Sequence, residues 1–235
     1  MDLVYVLKND NNYEDLRNSL RSLDRYGNGF NRIFIIGGKP DFLDYSKVIH
    51  FDYPDNYEVA EYNVFEKLVY ISNNADISDN FILFNDDFYL LKPMNLNTIP
   101  YYYKRKEIAT VYANKNTYND MSMITREFLL KHNKSIYDFK PHYPIIYNKE
   151  KIKELVPLFE ESFKISPLGL SVRDLYGNWH NVLNKVFKKD NKIMPNTNFY
   201  DFIKDLDLFS GGNNPQEDEQ WFLYNNYDIK SKWEI

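Results

Sequence analysis

The chain has no cysteine. Disulfides, thiolate metal centres, Fe–S clusters and a cysteine nucleophile are therefore excluded, and the redox compartment leaves no trace. Histidine is scarce, with 4 residues, and none has the spacing of a zinc motif. Glycine is also sparse, with 8 residues. They form no Gly-rich phosphate loop, no Walker motif and no nucleophile elbow. No run approaches the roughly 18 apolar residues that a membrane span needs. The opening Met1-Asp2-Leu3-Val4-Tyr5 lacks a basic region followed by a long apolar one, so no signal peptide is expected. Positive charge is in deficit, with a net charge of −5. A broad electrostatic grip on nucleic acid is disfavoured, while a local basic groove is not.

What is present describes a globular protein. The 235 residues suit one large domain with a real core, and 43% apolar against 27% charged residues rules out disorder. Aromatics reach 17%, mostly Tyr and Phe. Tyr serves cores, cleft linings and interfaces alike, and AT-rich codon usage would enrich it equally.

The first hundred residues alternate strand and helix signals. Residues 2–7 read as a buried strand. Leu16, Leu20 and Leu23 recur at helical spacing in a helix from Tyr13 to Tyr26, stopped by Gly27-Asn28-Gly29. Strands follow at 32–36 and 47–51. Asp55 and Glu58 form a capping-box pattern before a helix at about 57–72, with a stripe of Tyr62, Phe65, Val69 and Ile71. Phe81-Ile82-Leu83-Phe84 is wholly apolar and fits a central strand covered on both faces. The alternation predicts an α/β layered fold with a mainly parallel sheet. The second half is less regular. Asn148 caps a helix from 149 to about 161, divided by Pro157, and another helix is expected around Gly177. Asn214, Pro215 and Glu217 supply cap, first-turn proline and capping glutamate for a last helix through Tyr227.

Asn85-Asp86-Asp87 is the most informative triplet. Paired carboxylates at the carboxyl end of a buried strand stand where open α/β sheets bind ligands, and they are hard oxygen ligands for Mg²⁺ or Mn²⁺. A simple turn is the bland alternative. Arg17 and Arg21 lie one helical turn apart and suit a diphosphate, or a solvated stripe pairing with Glu14 and Asp24. Asn63 and Lys67 repeat that spacing on the second helix, with an exposed polar face as their alternative. His142 stands between Pro141 and Pro144, which restricts its backbone and suits a general base or a phosphate partner; a loop histidine without a role is equally ordinary. Arg173 either binds phosphate or pairs with Asp174. Glu217-Asp218-Glu219 adds a carboxylate to the cleft or merely answers the helix dipole.

The order of these blocks resembles the Stealth family of sugar-1-phosphate transferases. The resemblance rests on residues 14–23 (Glu-Asp-Leu-Arg-Asn-Ser-Leu-Arg-Ser-Leu), Arg32-Ile33-Phe34-Ile35-Ile36-Gly37, Asp79 through Phe88, and His142-Tyr143-Pro144-Ile145 before the helix at Asn148. The chain is also similar to compact glycosyltransferase-like proteins of bacteriophage genomes, through the Asn-Asp-Asp turn, Ile99 to Tyr103 and the His-Tyr-Pro-Ile block.

The resemblance implies a GT-A-like mixed sheet flanked by helices. It also implies a single domain over 1–235, with a nucleotide-sugar and metal half at 1–95 and an acceptor half at 96–235. The expected activity is metal-dependent transfer of a sugar from a nucleoside-diphosphate sugar to an acceptor hydroxyl on a glycan, a modified nucleic acid or a protein. Asp86 and Asp87 are expected to hold Mn²⁺ or Mg²⁺. Arg17, Arg21, Asn63, Lys67 and Asn85 are expected to contact the donor. His142, Arg173 and Asp87 are expected to be catalytic, and Tyr101 to Tyr103 to wall the acceptor cleft. The alternatives are sugar-1-phosphate transfer, which releases a nucleoside monophosphate, and a sugar- or nucleotide-binding protein without turnover. The expected location is the cytoplasm of a bacterium or of a phage-infected cell.

Overall fold

The computed structural model describes residues 1–9, 12–74, 76–110, 116–212 and 214–235. In chain order the elements are β1 (Asp2–Leu7), α1 (Glu14–Tyr26), β2 (Gly27–Asn28), β3 (Ile33–Gly37), β4 (Ile49–Phe51), α2 (Ala60–Asn74), β5 (Asn80–Leu83), β6 (Phe88–Leu90), β7 (Met94–Asn95) and β8 (Tyr101–Tyr103). They continue with α3 (Thr117–Lys131), β9 (Ile145–Asn148), α4 (Lys149–Lys153), α5 (Val156–Phe163), α6 (Val172–Trp179), β10 (Lys185–Phe187), α7 (Phe199–Ile203), β11 (Leu208–Ser210) and α8 (Glu217–Asn226).

Alternation along the strands sets the layers. Among the described residues the main sheet has the order β4-β3-β1-β5-β9. β1 pairs in parallel with β3 (Tyr5 opposite Ile35) and with β5 (Val4 opposite Leu83), and β9 closes the edge antiparallel (Ile145 opposite Leu83). Successive side chains point to opposite faces. Leu3, Tyr5, Leu7, Ile33 and Ile35 meet Leu16, Leu20 and Leu23 of α1 on one side. Val4, Phe34, Ile36, Phe81 and Leu83 meet Phe65, Leu68 and Ile71 of α2 on the other. Burial on both faces explains why these strands are apolar runs. Phe65 stacks on Phe159 of α5 with ring centroids 3.7 Å apart, which fastens the second half to α2. A third cluster of Tyr89, Ile193, Phe199, Phe209 and Leu223 lies where β6 pairs with β11 and where α7 and α8 pack.

Several local expectations are corrected. Asp55 does not cap α2: its carboxylate takes the Lys67 ammonium at 2.6 Å and the Asn9 N–H at 2.8 Å. α8 starts later than Asn214 and Pro215 imply, with Gln216 at the cap position and no side-chain cap bond. The stretch read as irregular contains α3, capped by Asn116, and the edge strand β9. Asn148 does cap α4, and the break before α5 falls beside Pro157. No helix among the described residues is long and apolar enough to cross a membrane.

Arg17 and Arg21 also depart from expectation. Arg21 Nε and Nη2 grip Glu234 at 2.8 Å each, and Nη1 donates to the Tyr227 carbonyl. Arg17 pairs with Glu14 at 3.0 Å and lies over the Phe42 ring. Among the described residues neither bonds to Asn85, Asp86 or Asp87. The face of α1 that meets β6 carries Ser19 and Ser22, which bond the Phe88 carbonyl and the Leu90 N–H, so the arginines turn elsewhere. Their charge anchors Glu234, whose side chain is 3% exposed. Removing one partner of a buried pair strands the other charge. Glu234→Ala is therefore expected to lower unfolding free energy by about 3 kcal/mol in a urea titration. Lys204→Ala, which breaks an exposed pair with Asp201, is expected to cost less than about 1 kcal/mol.

Candidate active site

In open α/β sheets the ligand crevice lies beyond the carboxyl ends of the strands. Here β1, β3 and β5 end in Leu7, Gly37 and Leu83. Lys67 rises from α2 under the first two. Its ammonium donates to the Leu7 carbonyl at 2.7 Å as well as to Asp55, and it is 1% exposed. Gly37 has φ +108°, and a Cβ there would meet the Leu7 carbonyl and the Lys67 ammonium. Asn63 spends its side chain on the backbone of Tyr57, accepting from its N–H and donating to its carbonyl. Neither residue lies on an exposed polar face. Lys67 organises the ends of β1 and β3 and leaves little charge for a ligand.

The Asn85-Asp86-Asp87 turn follows β5 directly and leads into β6. Asp87 Oδ2 accepts from Lys192 Nζ and from Ser210 Oγ, both at 2.7 Å. The Asp87 carbonyl accepts the Gly211 N–H at 2.8 Å. The turn is thus fixed by β11 and the segment before it. Asp87 Oδ1 is buried without a hydrogen-bond partner among the described residues. Burial, then the Asp87 and Asp15 carboxylates, push the partly buried Asp86 up to about 7, against the pull of Lys192. Asp15 comes from α1 and accepts from the Tyr89 hydroxyl at 2.6 Å. Glu219 of α8 is likewise raised by burial, although the Gly212 and Gln216 N–H groups oppose the shift.

Arg173 joins the predicted blocks. Nη2 donates to Asn85 Oδ1 at 3.0 Å and Nη1 to the Tyr143 carbonyl at 2.5 Å. It does not pair with Asp174, whose carboxylate instead forms an ion pair with Lys140 and accepts the Phe139 N–H. His142 precedes Tyr143 and adopts φ +52°, a left-handed conformation uncommon outside glycine. Its Nδ1 is 2.6 Å from Asp190 Oδ1. Asp190 also takes the Lys104 ammonium at 2.8 Å and the Lys192 N–H at 3.2 Å. Burial raises its carboxyl, but His142 and Lys104 outweigh that and hold it well below the usual carboxylate range. A continuous path therefore runs from His142 through Asp190 and Lys192 to Asp87.

Asp190, Lys192, Ser210 and Asp15 were not singled out from the sequence. The signal is weak: Lys188 to Lys192 reads as a charged loop, and its pairing with Ser210 is made across α7 and β11. Tyr102 packs on Tyr143, next to His142, while Tyr101 and Tyr103 pack on Tyr176 of α6 and on Tyr137.

A divalent cation fits the turn chemically. Two adjacent carboxylates, one with an unpartnered buried oxygen, offer hard ligands and excess negative charge. Among the described residues no group of three or more acidic or histidine side chains forms a ready-made cage. Mg²⁺ is commonly held by one or two carboxylates with the remaining positions filled by phosphate and water.

No family model matches the chain, and no curated protein matches it in sequence. The fold does match solved glycosyltransferases. The galactosyltransferase LgtC, crystallised with donor and acceptor sugar analogues, aligns with a TM-score of 0.56 at 9% identity, over 97% of this chain and 94% of that one. A glycosyltransferase involved in glycosylation of the major capsid of PBCV-1 aligns with a TM-score of 0.50 at 8% identity, over 96% and 100%. Mouse xyloside xylosyltransferase 1 aligns with a TM-score of 0.50 at 13% identity, over 92% and 98%. Identities this low speak for the fold alone, and the fold is GT-A-like: a parallel-dominated sheet flanked by helices.

Proposed function

We propose that this protein is a glycosyltransferase that uses a nucleoside-diphosphate sugar and a divalent metal. The observation that carries the reading is the junction at the end of β5. There Arg173 ties Asn85 to the His142 segment, while Lys192 ties Asp87 to Asp190, the partner of His142. A metal-binding pair and a histidine–carboxylate pair thus share one hydrogen-bonded frame.

Each residue then has a distinct task. Asp86 and Asp87 hold Mn²⁺ or Mg²⁺. When bound, the cation supplies positive charge that offsets the negative charge growing on the leaving diphosphate. Lys192 and Ser210 keep Asp87 in one orientation. Arg173 keeps Asn85 and the Tyr143 carbonyl in register and presents further positive charge to phosphate. Asp190 fixes the Nδ1 side of the His142 ring, which leaves Nε2 to take the proton of an acceptor hydroxyl. The donor half at 1–95 and the acceptor half at 96–235 meet at this junction. Arg17 and Arg21 have no part in it.

The product distinguishes the reading from its nearest rival. Glycosyl transfer releases a nucleoside diphosphate; sugar-1-phosphate transfer releases the monophosphate. Hydrolysis of UDP-glucose and UDP-galactose with Mn²⁺ is expected to yield the diphosphate. In the same assay His142→Ala is expected to lower turnover by about 10²–10⁴-fold with donor affinity little changed. Asp190→Asn is expected to lower turnover in the same direction and to move the pH profile. If His142→Ala loses donor binding and keeps its turnover, the histidine belongs to the phosphate site.

The Asp86 carboxyl carries a pH signature. Its folded-state value of about 7 exceeds the ordinary 3.8. The folded chain therefore holds an extra proton between those values, and stability falls as pH rises through that window. With chelator present, Asp86→Asn is expected to raise the melting temperature clearly near pH 8 and less near pH 5, because the neutral amide removes a charge that only the higher pH creates. An equal gain at both values would contradict the carboxylate crowding.

A further inference from the structure

A second set of buried charges lies behind the His142 segment. Lys140 and Asp174 form an ion pair in which their side chains are 5% and 0% exposed. Asp138, also buried, stands 3.5 Å from the same ammonium. Among the described residues neither member of the pair bonds to Asn85, Asp86 or Asp87. Such a pair adds little stability, because desolvation of both charges consumes most of their attraction, and apolar side chains of similar volume would serve the core as well. One use of such a pair is to select a single arrangement, since any other leaves a buried charge unmet.

The arrangement selected here joins α6 to the chain on its way to His142. Asp174 Oδ1 accepts the Phe139 N–H at 2.7 Å. One turn on, Asn178 accepts the Tyr137 N–H at 2.7 Å and donates to the Tyr137 carbonyl at 2.8 Å. Between them, a Cβ on Gly177 would run into the Phe139 ring, so glycine lets the two segments close up. The start of α6 is fixed in turn. Glu61 of α2 accepts the Val172 N–H and Thr125 of α3 accepts the Ser171 N–H, both at 2.8 Å. Arg173 therefore reaches Asn85 from a held helix. Lys140 stands two residues before His142, with Pro141 between them. The proline ring fixes one backbone dihedral, so a shift of Lys140 passes on to His142 instead of being absorbed. Lys104 closes the frame: its N–H donates to the Asp138 carbonyl at 2.9 Å and its ammonium to Asp190 at 2.8 Å.

We propose that the buried Lys140–Asp174 pair is a latch that sets the His142 ring against Asp190, at a fixed place relative to the carboxylate turn. Both are positioning residues. The inference rests on the glycosyl-transfer reading for its effect on rate; the setting of the ring is a property of the fold. The Asp190 contact places the ring proton on Nδ1 and leaves Nε2 free for an acceptor. Without the latch the ring leaves Asp190 and its proton exchanges between the two nitrogens.

Long-range ¹H–¹⁵N spectra recorded near pH 8 read the ring directly, with His142 assigned by the signals that His142→Ala removes. Wild type is expected to show the His142 proton on Nδ1. The double variant Lys140→Met/Asp174→Asn strands neither charge of the pair and keeps an acceptor for the Phe139 N–H, so it is expected to fold. In it the His142 signals are expected to move to the average of two tautomers, while those of His50 stay in place. Its kcat for hydrolysis of UDP-glucose or UDP-galactose with Mn²⁺ is expected to fall by about 10–10²-fold with KM unchanged. Leu155→Ala, a cavity in the same core, is expected to lower the melting temperature and leave the His142 signals unmoved. A double variant whose His142 signals match those of wild type would overturn the latch, as would a wild-type ring that already averages its tautomers. Moved signals with an unchanged kcat would leave the latch standing and remove His142 from the reaction. Should the double variant not fold, Asp174→Asn alone is read in the same way.

Discussion

The carboxylates of Asp15, Asp86 and Asp87 gather beyond the end of β5, where burial and mutual repulsion push Asp86 up to about 7. Such crowding is unstable unless something else holds the turn. Lys192 and Ser210 do so for Asp87 from one side, and Arg173 does so for Asn85 from the other. The segment from Asp190 to Ile193, β11 and the start of α6 supply those contacts. That like charge is what the proposed divalent cation would offset.

Around this turn early and late parts of the chain come together. The first half supplies a rigid α/β/α sandwich whose strand ends are organised by Lys67, Asp55 and Gly37. Later residues of the chain stand beside the turn: His142 held by Asp190, and Arg173 at the start of α6. These come from loops and helix starts on a fixed frame, where binding and catalytic residues commonly lie. His142 adopts a left-handed conformation, and its ring is held by the Asp190 contact.

The sheet and its flanking helices were legible because each strand carried its own signal. Residues 2–7 and 81–84 are buried on both faces and so are plainly apolar, and Leu16, Leu20 and Leu23 repeat at one-turn spacing. The Asn-Asp-Asp turn was legible for the same reason, as polar residues stopping an apolar strand. The partners of the α1 arginines are not legible in the sequence, because helical spacing gives a shared face but not its direction. Ser19 and Ser22 chose the direction by bonding β6, and Glu234, more than 200 residues away, took up the charge. Asp190 and Lys192 were missed because nothing local marks them. Their roles arise from pairing with His142 and Asp87, contacts made only once the chain has folded.

The most direct test is a manganese anomalous-scattering map from crystals grown with UDP and Mn²⁺. The account predicts one strong peak within ligand distance of the Asp86 and Asp87 carboxylates, beside the diphosphate. A well-ordered UDP whose diphosphate lies away from these carboxylates, or a peak held by other residues, would contradict it.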